Sequence, residues 1–130
     1  MIIRRRNPPG LHTPPGYHHV TIAEGRRLVF LAGQCPLAPD GSIPGKLAGQ
    51  VDQVAANTAL ALADAGAAPE DVVRTVLYVA SGERAELSAV WTRFTESGIG
   101  AAFTSAATLL GVTCLGFPGQ LVELDVTAVL

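Results

Sequence analysis

Two segments with helical periodicity, each enclosed by strand-like segments, constrain the fold of this chain more than any other feature. Apolar residues recur at helical spacing from about Leu47 to Ala65 and again from about Glu83 to Ser97. The two stripes consist of Val51, Val54, Ala55, Thr58 and Leu62, and of Leu87, Val90, Trp91 and Phe94. Gly66 and Gly98 stand where the two helices should end, and glycine readily adopts the left-handed conformation that closes a helix.

The strand-like segments are short and rich in β-branched residues. They are His19–Ala23, Arg27–Ala32, Cys35–Leu37, Val72–Val79, Thr108–Thr113 and Leu121–Val129. Glu24-Gly25 predicts a hairpin between the first two. The order β-β-β-α-β-α-β-β predicts an α+β fold, a two-layer sandwich with both helices on one face of a single mixed sheet.

The chain is the size of one domain, with 130 residues. Four prolines between Asn7 and Gly16 exclude a helix or a central strand there, so residues 1–16 are expected to form an arm over the surface. The run Arg4-Arg5-Arg6 is interpreted as a solvated terminus. Residues 17–130 are expected to form the single domain.

The composition points to self-association. Charged residues make up 15% of the chain, whereas an average soluble chain has about 25%. No segment remains to cover the second face of the predicted sheet. A small domain with few charges and one uncovered sheet face is expected to bury part of its surface against copies of itself.

Charge and hydropathy exclude several classes of partner. The net charge of −2 argues against binding to nucleic acid through phosphate contacts. No apolar stretch is long enough for a signal peptide or a membrane span, so we expect a cytoplasmic protein without membrane contact. Cys35 and Cys114 lack metal-ligand spacing and are interpreted as reduced, small apolar side chains. No metal and no cofactor is predicted.

Four blocks of sequence resemble one family. They are Leu31-Ala32-Gly33-Gln34 with Pro36-Leu37, then Asp71–Val79, Val90–Phe94 and Leu121–Val129. In this order and spacing they are similar to the RidA/YjgF family of enamine/imine deaminases, also known as endoribonuclease L-PSP. The resemblance runs from about Tyr17 to the end of the chain. It implies a chorismate-mutase-like fold and a homotrimer with a small-molecule cleft at each subunit interface.

The resemblance also implies where the chemistry lies. Glu123 matches the family's acidic residue that orients a water near the imine carbon, and alternation places it on one strand face with Asp125. A solvated or ion-paired strand residue is the equally weighted alternative. The family binds the substrate carboxylate with an arginine, a position occupied here by Ala107. No arginine occurs after Arg93.

Further cleft residues follow from the resemblance, each with a structural alternative. Tyr17 matches an aromatic cleft wall, or it packs the arm on the surface. Gly33 and Gln34 match a bend where the backbone approaches the ligand, or they form a simple bulge.

Three polar residues and one cysteine complete the candidate set. His18 and His19 face opposite sides of an extended segment, and one of them, His18, is the best local substitute for the missing cation, unless both are ordinary surface histidines. Arg74 is expected in an ion pair across the trimer. Cys114 is expected to be buried and inert, a cleft thiol being the alternative.

Three functions follow from these residues. The first is hydrolysis of a reactive enamine or imine other than the standard 2-imino acids, with Glu123 positioning water. The second is a non-catalytic ligand-binding or stress-related module on the same fold. Endoribonuclease activity ranks last, since no basic groove or aromatic stacking series is present. Convergence of Glu123, Tyr17 and a histidine on one interfacial pocket would favour the first, and their separation would favour the second.

Overall fold

The computed structural model describes residues 1–130, which form six strands and two α-helices. In chain order these are β1 (Ile2–Arg6), β2 (Val20–Glu24), β3 (Leu28–Phe30), α1 (Leu47–Asp64), β4 (Val72–Val79), α2 (Arg84–Thr95), β5 (Ala106–Gly111) and β6 (Val122–Val129). Short 3-10 turns at Pro69–Asp71 and Gly100–Thr104 lead into β4 and β5. The fold is α+β, as the sequence predicts.

The main sheet has four strands in the order β3-β6-β4-β5. Strand β6 is antiparallel to both β3 and β4, whereas β4 and β5 are parallel. A parallel pair needs a crossover, and α2 provides it between β4 and β5. The sheet is therefore mixed, and its two central strands are the long, strongly alternating segments of the sequence.

Alternation along the central strands separates the two faces of this sheet. On β6, Val122, Leu124, Val126 and Ala128 are buried, and the residues between them are partly exposed. On β4, Leu77 and Val79 are buried on the same side, where both helices pack. Sequence alternation of period two thus determines which side chains face the helices and which face away.

Helix α1 ends as its sequence predicts. Gly66 has φ +78°, and the amides of Gly66 and Ala67 donate to the carbonyls of Ala63 and Leu62. This pattern is a Schellman motif, which satisfies carbonyls at the helix end. At the other end, buried Gln50 donates to the carbonyls of Pro44 and Gly119 and accepts from the amide of Leu121. Gln50 therefore fastens α1 to the β5–β6 loop.

Helix α2 packs through Val90 and Phe94, both fully buried. Trp91 belongs to the same apolar stripe of the sequence, but it is only partly buried, at the edge of the hydrophobic cluster. It packs edge-on against Phe103 on one side and Tyr17 on the other, with ring centroids 5.7 and 6.1 Å away. Trp91 lies at the rim of the apolar stripe of α2, where the ring of Tyr17 covers part of it.

The N-terminal region differs from the prediction of one sheet with a hairpin at Glu24-Gly25. Strand β2 pairs with β1 in a separate two-stranded sheet, and β3 pairs with β6. The amides of Arg26 and Arg27 donate to the carbonyl of Leu130, which turns the chain toward β6 directly after Gly25. Cys35–Leu37 forms no strand; Gln34 makes an isolated bridge to Leu124.

The sequence did not predict strand β1, because a run of three arginines is typical of a solvated terminus. The side chain of Arg5 instead donates to Ser105 Oγ at 2.9 Å and to the Glu70 carbonyl at 3.1 Å. Ser105 Oγ in turn donates to the carbonyl of Val72. These bonds fasten the small sheet beside the start of β5. None of the helices has the length and hydropathy that a membrane span requires.

Candidate functional site

One face of the main sheet is covered by no other element, and we call it the open face. Its side chains are Leu28 and Phe30 of β3, Arg74, Val76 and Tyr78 of β4, Ala106, Thr108 and Leu110 of β5, and Glu123, Asp125 and Thr127 of β6. All of them are partly or fully exposed in the single chain. On the open face, apolar side chains lie on the edge strands β3 and β5, and the charged side chains lie on the central strands β4 and β6.

Glu123 is held in place on the open face by two donors. Its Oε1 accepts hydrogen bonds from Cys35 Sγ at 3.2 Å and from Gln120 Nε2 at 3.1 Å. Burial, followed by the hydrogen bond to Glu123, raises the pKa of the Cys35 thiol to about 11. Cys35 is therefore a protonated donor at neutral pH and not a thiolate nucleophile.

The second oxygen of Glu123 lies against Gly33. A Cβ on Gly33 would collide with Glu123 Oε2 and would lie 3.2 Å from Asp125 Oδ1. No hydrogen-bond donor or cation of the chain contacts either of these two oxygens. Two free carboxylate oxygens thus converge where the backbone carries no side chain.

The other oxygen of Asp125 is hydrogen-bonded to a residue of the neighbouring strand β4. Its Oδ2 accepts a hydrogen bond from the Tyr78 hydroxyl at 3.1 Å. This bond to a carboxylate raises the pKa of Tyr78 above its ordinary value, so the phenol stays protonated at neutral pH. Both carboxylates are consequently oriented by neutral donors, which leave their negative charges unbalanced.

The loop Gly33–Leu37 is positioned from the helix side. Asn57 Nδ2 of α1 donates to the carbonyls of Cys35 and Leu37, at 3.0 and 2.9 Å. Backbone bonds between Gln34 and Leu124 hold the start of the loop against β6. The Gln34 side chain turns back to the carbonyl of Ala32 and away from Glu123. Gly33 is therefore brought to Glu123, and the Gln34 side chain is not.

Tyr17 and Ala107 lie at a different place. They line a groove of about 300 Å³ on the helix side of β5, together with Pro15, Ser88, Trp91, Thr92 and Leu109. Ala107 neighbours buried Thr75 across the strands, on the face opposite to Glu123. Within one chain, the structure does not bring Tyr17 or Ala107 together with Glu123.

The histidines lie with Tyr17. The Tyr17 hydroxyl is 3.1 Å from His12 Nε2, and His19 Nε2 is 2.7 Å from the His12 carbonyl. His18 Nδ1 contacts the carbonyl of Thr104, so this nitrogen carries a proton and donates it. None of these rings contacts Glu123. No three His, Cys, Asp or Glu side chains form a group that could hold a metal ion.

Cys114 was expected to be buried, and the structure corrects this. It is exposed in the loop after β5, because β5 ends at Gly111 and leaves residues 112–121 as a surface connection. The more informative thiol is Cys35. Sequence reasoning missed the roles of Cys35, Gln120 and Tyr78, although alternation did place Asp125 on the same face as Glu123.

Comparisons with known proteins agree with this fold. The model of the Endoribonuclease L-PSP family matches residues 11–130. A Yersinia pestis protein of unknown function from the conserved Rid family, YyfB, is 32% identical with a TM-score of 0.88, and the alignment covers 100% of both chains. This chain belongs to the Rid/YjgF family. A second Rid protein of Yersinia pestis, YyfA, is 25% identical over 91% of this chain and 90% of its own, with a TM-score of 0.68. No curated protein matches the chain significantly.

The start of β5 carries the segment that the sequence comparison with the family singles out. Ser105-Ala106-Ala107-Thr108 resembles the segment in which the family carries its arginine. Ala106, not Ala107, projects onto the open face, where it lies opposite Arg74. Either alanine leaves β5 without a guanidinium, so any cation on this face must come from another strand.

Proposed function

We propose that this Rid-family chain forms a homotrimer that hydrolyses a small enamine or imine without a carboxylate bonded to the imine carbon. Glu123 positions and activates the attacking water. Family membership supports the fold, and the family resemblance implies a cleft at each subunit interface. The trimer and the reaction are inferences from the family resemblance and from the geometry of Glu123.

The observation that carries the proposal is the free oxygen of Glu123 beside Gly33. Cys35 and Gln120 fix one oxygen of the carboxylate and leave the other unpaired. Asp125 Oδ1 faces the same point. A carboxylate pair without a balancing cation attracts a protonated imine and favours the positive charge on its nitrogen. A carboxylate held in one orientation suits general base catalysis.

The reaction balances with water alone. Water forms a bond to the iminium carbon while Glu123 Oε2 accepts one of its protons. The proton then passes to the amine nitrogen. The carbon–nitrogen bond breaks as Glu123 accepts the hydroxyl proton, and this proton passes to the departing ammonia, which leaves as ammonium together with a carbonyl product. No oxidant, metal or covalent enzyme intermediate is required. Cys35 stays a neutral thiol throughout, consistent with its raised pKa of about 11.

The absent arginine defines which imines are disfavoured. A 2-imino acid carries its carboxylate next to the imine carbon, so both groups would approach Glu123 and Asp125 together. Two protein carboxylates repel that substrate carboxylate, and no guanidinium on β5 offsets the loss of its hydration. Hydrolysis of 2-imino acids should consequently remain close to the spontaneous rate.

One observation favours a second candidate. Within a single chain, Tyr17 and the histidines lie on the opposite side of the sheet from Glu123. This separation supports the ligand-binding alternative, in which the protein keeps a cleft without catalysing a reaction. Endoribonuclease activity gains no such support, because the open face has a single cation, Arg74, and no groove of basic residues that could hold a polynucleotide.

The first prediction tests Glu123 directly. Imines without a carboxylate are generated with an amine oxidase, 2-imino acids with an amino-acid oxidase, and the decay of each is followed. We expect acceleration of the first class only, and Glu123→Gln should lower it by about 10²-fold or more, since the base is lost.

Thr127→Val, on the same strand and face, is the matched control and should retain activity. Rapid wild-type hydrolysis of 2-imino acids would contradict the proposed selectivity. No acceleration of any imine, with ligand binding retained, would leave the non-catalytic alternative.

A further inference from the structure

The open face carries one cation, Arg74, at a distance from its carboxylates. A guanidinium nitrogen of Arg74 donates to Thr108 Oγ1 on β5 at 3.0 Å. The ion pairs of the structure are Arg4 with Glu24 and Arg93 with Asp52, so Arg74 has no carboxylate partner in the chain. Most of its donors are free on an exposed surface.

The neighbour of Arg74 leaves room for a ligand. Ala106 lies directly opposite Arg74 on β5, and its methyl group is too small to cover the guanidinium. Thr127 lies opposite on the other side, on β6. Arg74 is thus flanked by short side chains, and Thr108 adds a hydroxyl beside its charge. A planar guanidinium with a neighbouring hydroxyl suits a carboxylate or a phosphate.

The register fixes the distance between Thr108, which accepts a hydrogen bond from the Arg74 guanidinium, and the carboxylate residue Asp125. Thr108 and Asp125 both lie beside Val76, one on each neighbouring strand. Two strand spacings separate them, which is about 9–10 Å. The face therefore has a positive end and a negative end, separated by Val76.

We propose that Arg74 and Thr108 form an anion subsite, and that the ligand carries a carboxylate or phosphate several bonds away from the nitrogen held by Glu123 and Asp125. This inference rests on the proposed function of Glu123 and specifies its substrate class. A 2-imino acid is too short to reach both ends. A longer imine with a terminal anion spans Val76 and pairs each of its charges with an opposite one.

Unreactive amines of graded length test this geometry without depending on catalysis. Glycine, β-alanine, 4-aminobutanoate, 5-aminopentanoate and 6-aminohexanoate are titrated into the full-length protein, with butylamine as the probe that lacks an anion. Amide chemical shifts in NMR report binding at Gly33 and around Arg74. We expect an affinity optimum at a member longer than glycine, and that member should bind more tightly than butylamine.

Variants assign the effect to Arg74. Arg74→Ala should weaken the best amino acid about five- to tenfold and leave butylamine unchanged, since one exposed charged contact is lost. Arg74→Lys should restore part of the difference. Arg84→Ala, at the exposed start of α2, is the control and should change neither.

The outcomes separate this inference from the proposed function. If butylamine and all amino acids bind equally, the anion subsite is absent even when Glu123-dependent hydrolysis occurs. If Arg74→Ala dissociates the oligomer without altering the length dependence, Arg74 is an interface residue and the subsite is refuted. If the length dependence appears without hydrolysis of any imine, the subsite stands and catalysis by Glu123 fails.

Discussion

Gly33 is the residue on which the geometry of Glu123 depends most directly. A methyl group at this position would lie 2.9 Å from the Glu123 carboxyl carbon. The atoms in the way belong to the end of a flexible side chain, so the carboxylate can move aside more easily than the backbone. A larger residue at position 33 should therefore disturb the site much more than the fold.

Gly33→Ala should lower the free energy of unfolding by less than about 1 kcal/mol and reduce Glu123-dependent hydrolysis about tenfold. Displacing Glu123 from Cys35 also removes a hydrogen bond and a negative charge that raise the thiol pKa. The pKa of Cys35 should therefore fall below its value of about 11, which the pH dependence of alkylation measures in a Cys114→Ser background.

Gly45→Ala serves as the control for this substitution. A Cβ at Gly45 meets no atom within 4 Å, and its φ is not positive. This variant should leave both the activity and the Cys35 pKa unchanged. An unaltered Cys35 pKa in Gly33→Ala would show that Glu123 does not move. It would contradict the proposal that the Glu123 oxygen beside Gly33 is the one that activates water.

At the scale of elements, the long periodic segments were predictable and the short ones were not. The predicted bounds Val72–Val79 of β4 are confirmed, and α1 was predicted one residue too long. Both elements could be located from the sequence because local periodicity determines them. The pairing of β3 with β6 was missed, since it depends on contacts between distant parts of the chain. The same is true of the site: Cys35 meets Glu123 across 88 residues, a distance over which no local pattern gives a signal.

Helix α2 allows a prediction that compares the stability contribution of a buried residue with that of a residue at the rim of the apolar stripe. Phe94→Ala should destabilise the protein by about 3–5 kcal/mol, because the ring is fully buried. Trp91→Ala should cost less, about 1–3 kcal/mol, since Trp91 is only partly buried between Tyr17 and Phe103. Urea denaturation followed by circular dichroism at one protein concentration measures both. A larger loss for Trp91 than for Phe94 would mean that the arm contributes more to stability than the core contacts of α2.

At the scale of the whole molecule, the open face explains the shortage of charge. Leu28 and Phe30 on the edge strand β3 are 63% and 72% exposed, and Leu110 on the opposite edge is 41% exposed. Apolar side chains at both edges of a face that no helix covers are typical of a surface that packs against further subunits. The polar centre with Glu123, Asp125 and Arg74 would then lie between these contacts, where water is partly excluded and charges act more strongly.

The last prediction tests this assembly. In light scattering after gel filtration, the protein should have three times the chain mass of 13.4 kDa. Phe30→Asp should dissociate the trimer, because it places a carboxylate of each subunit in an apolar contact. Leu60→Asp is the matched control: Leu60 has the same 72% exposure as Phe30 but lies on α1, away from the open face. It should leave the trimer intact. A folded wild-type monomer at micromolar concentration would refute the trimer, and dissociation by Leu60→Asp alone would move the interface to the helical face.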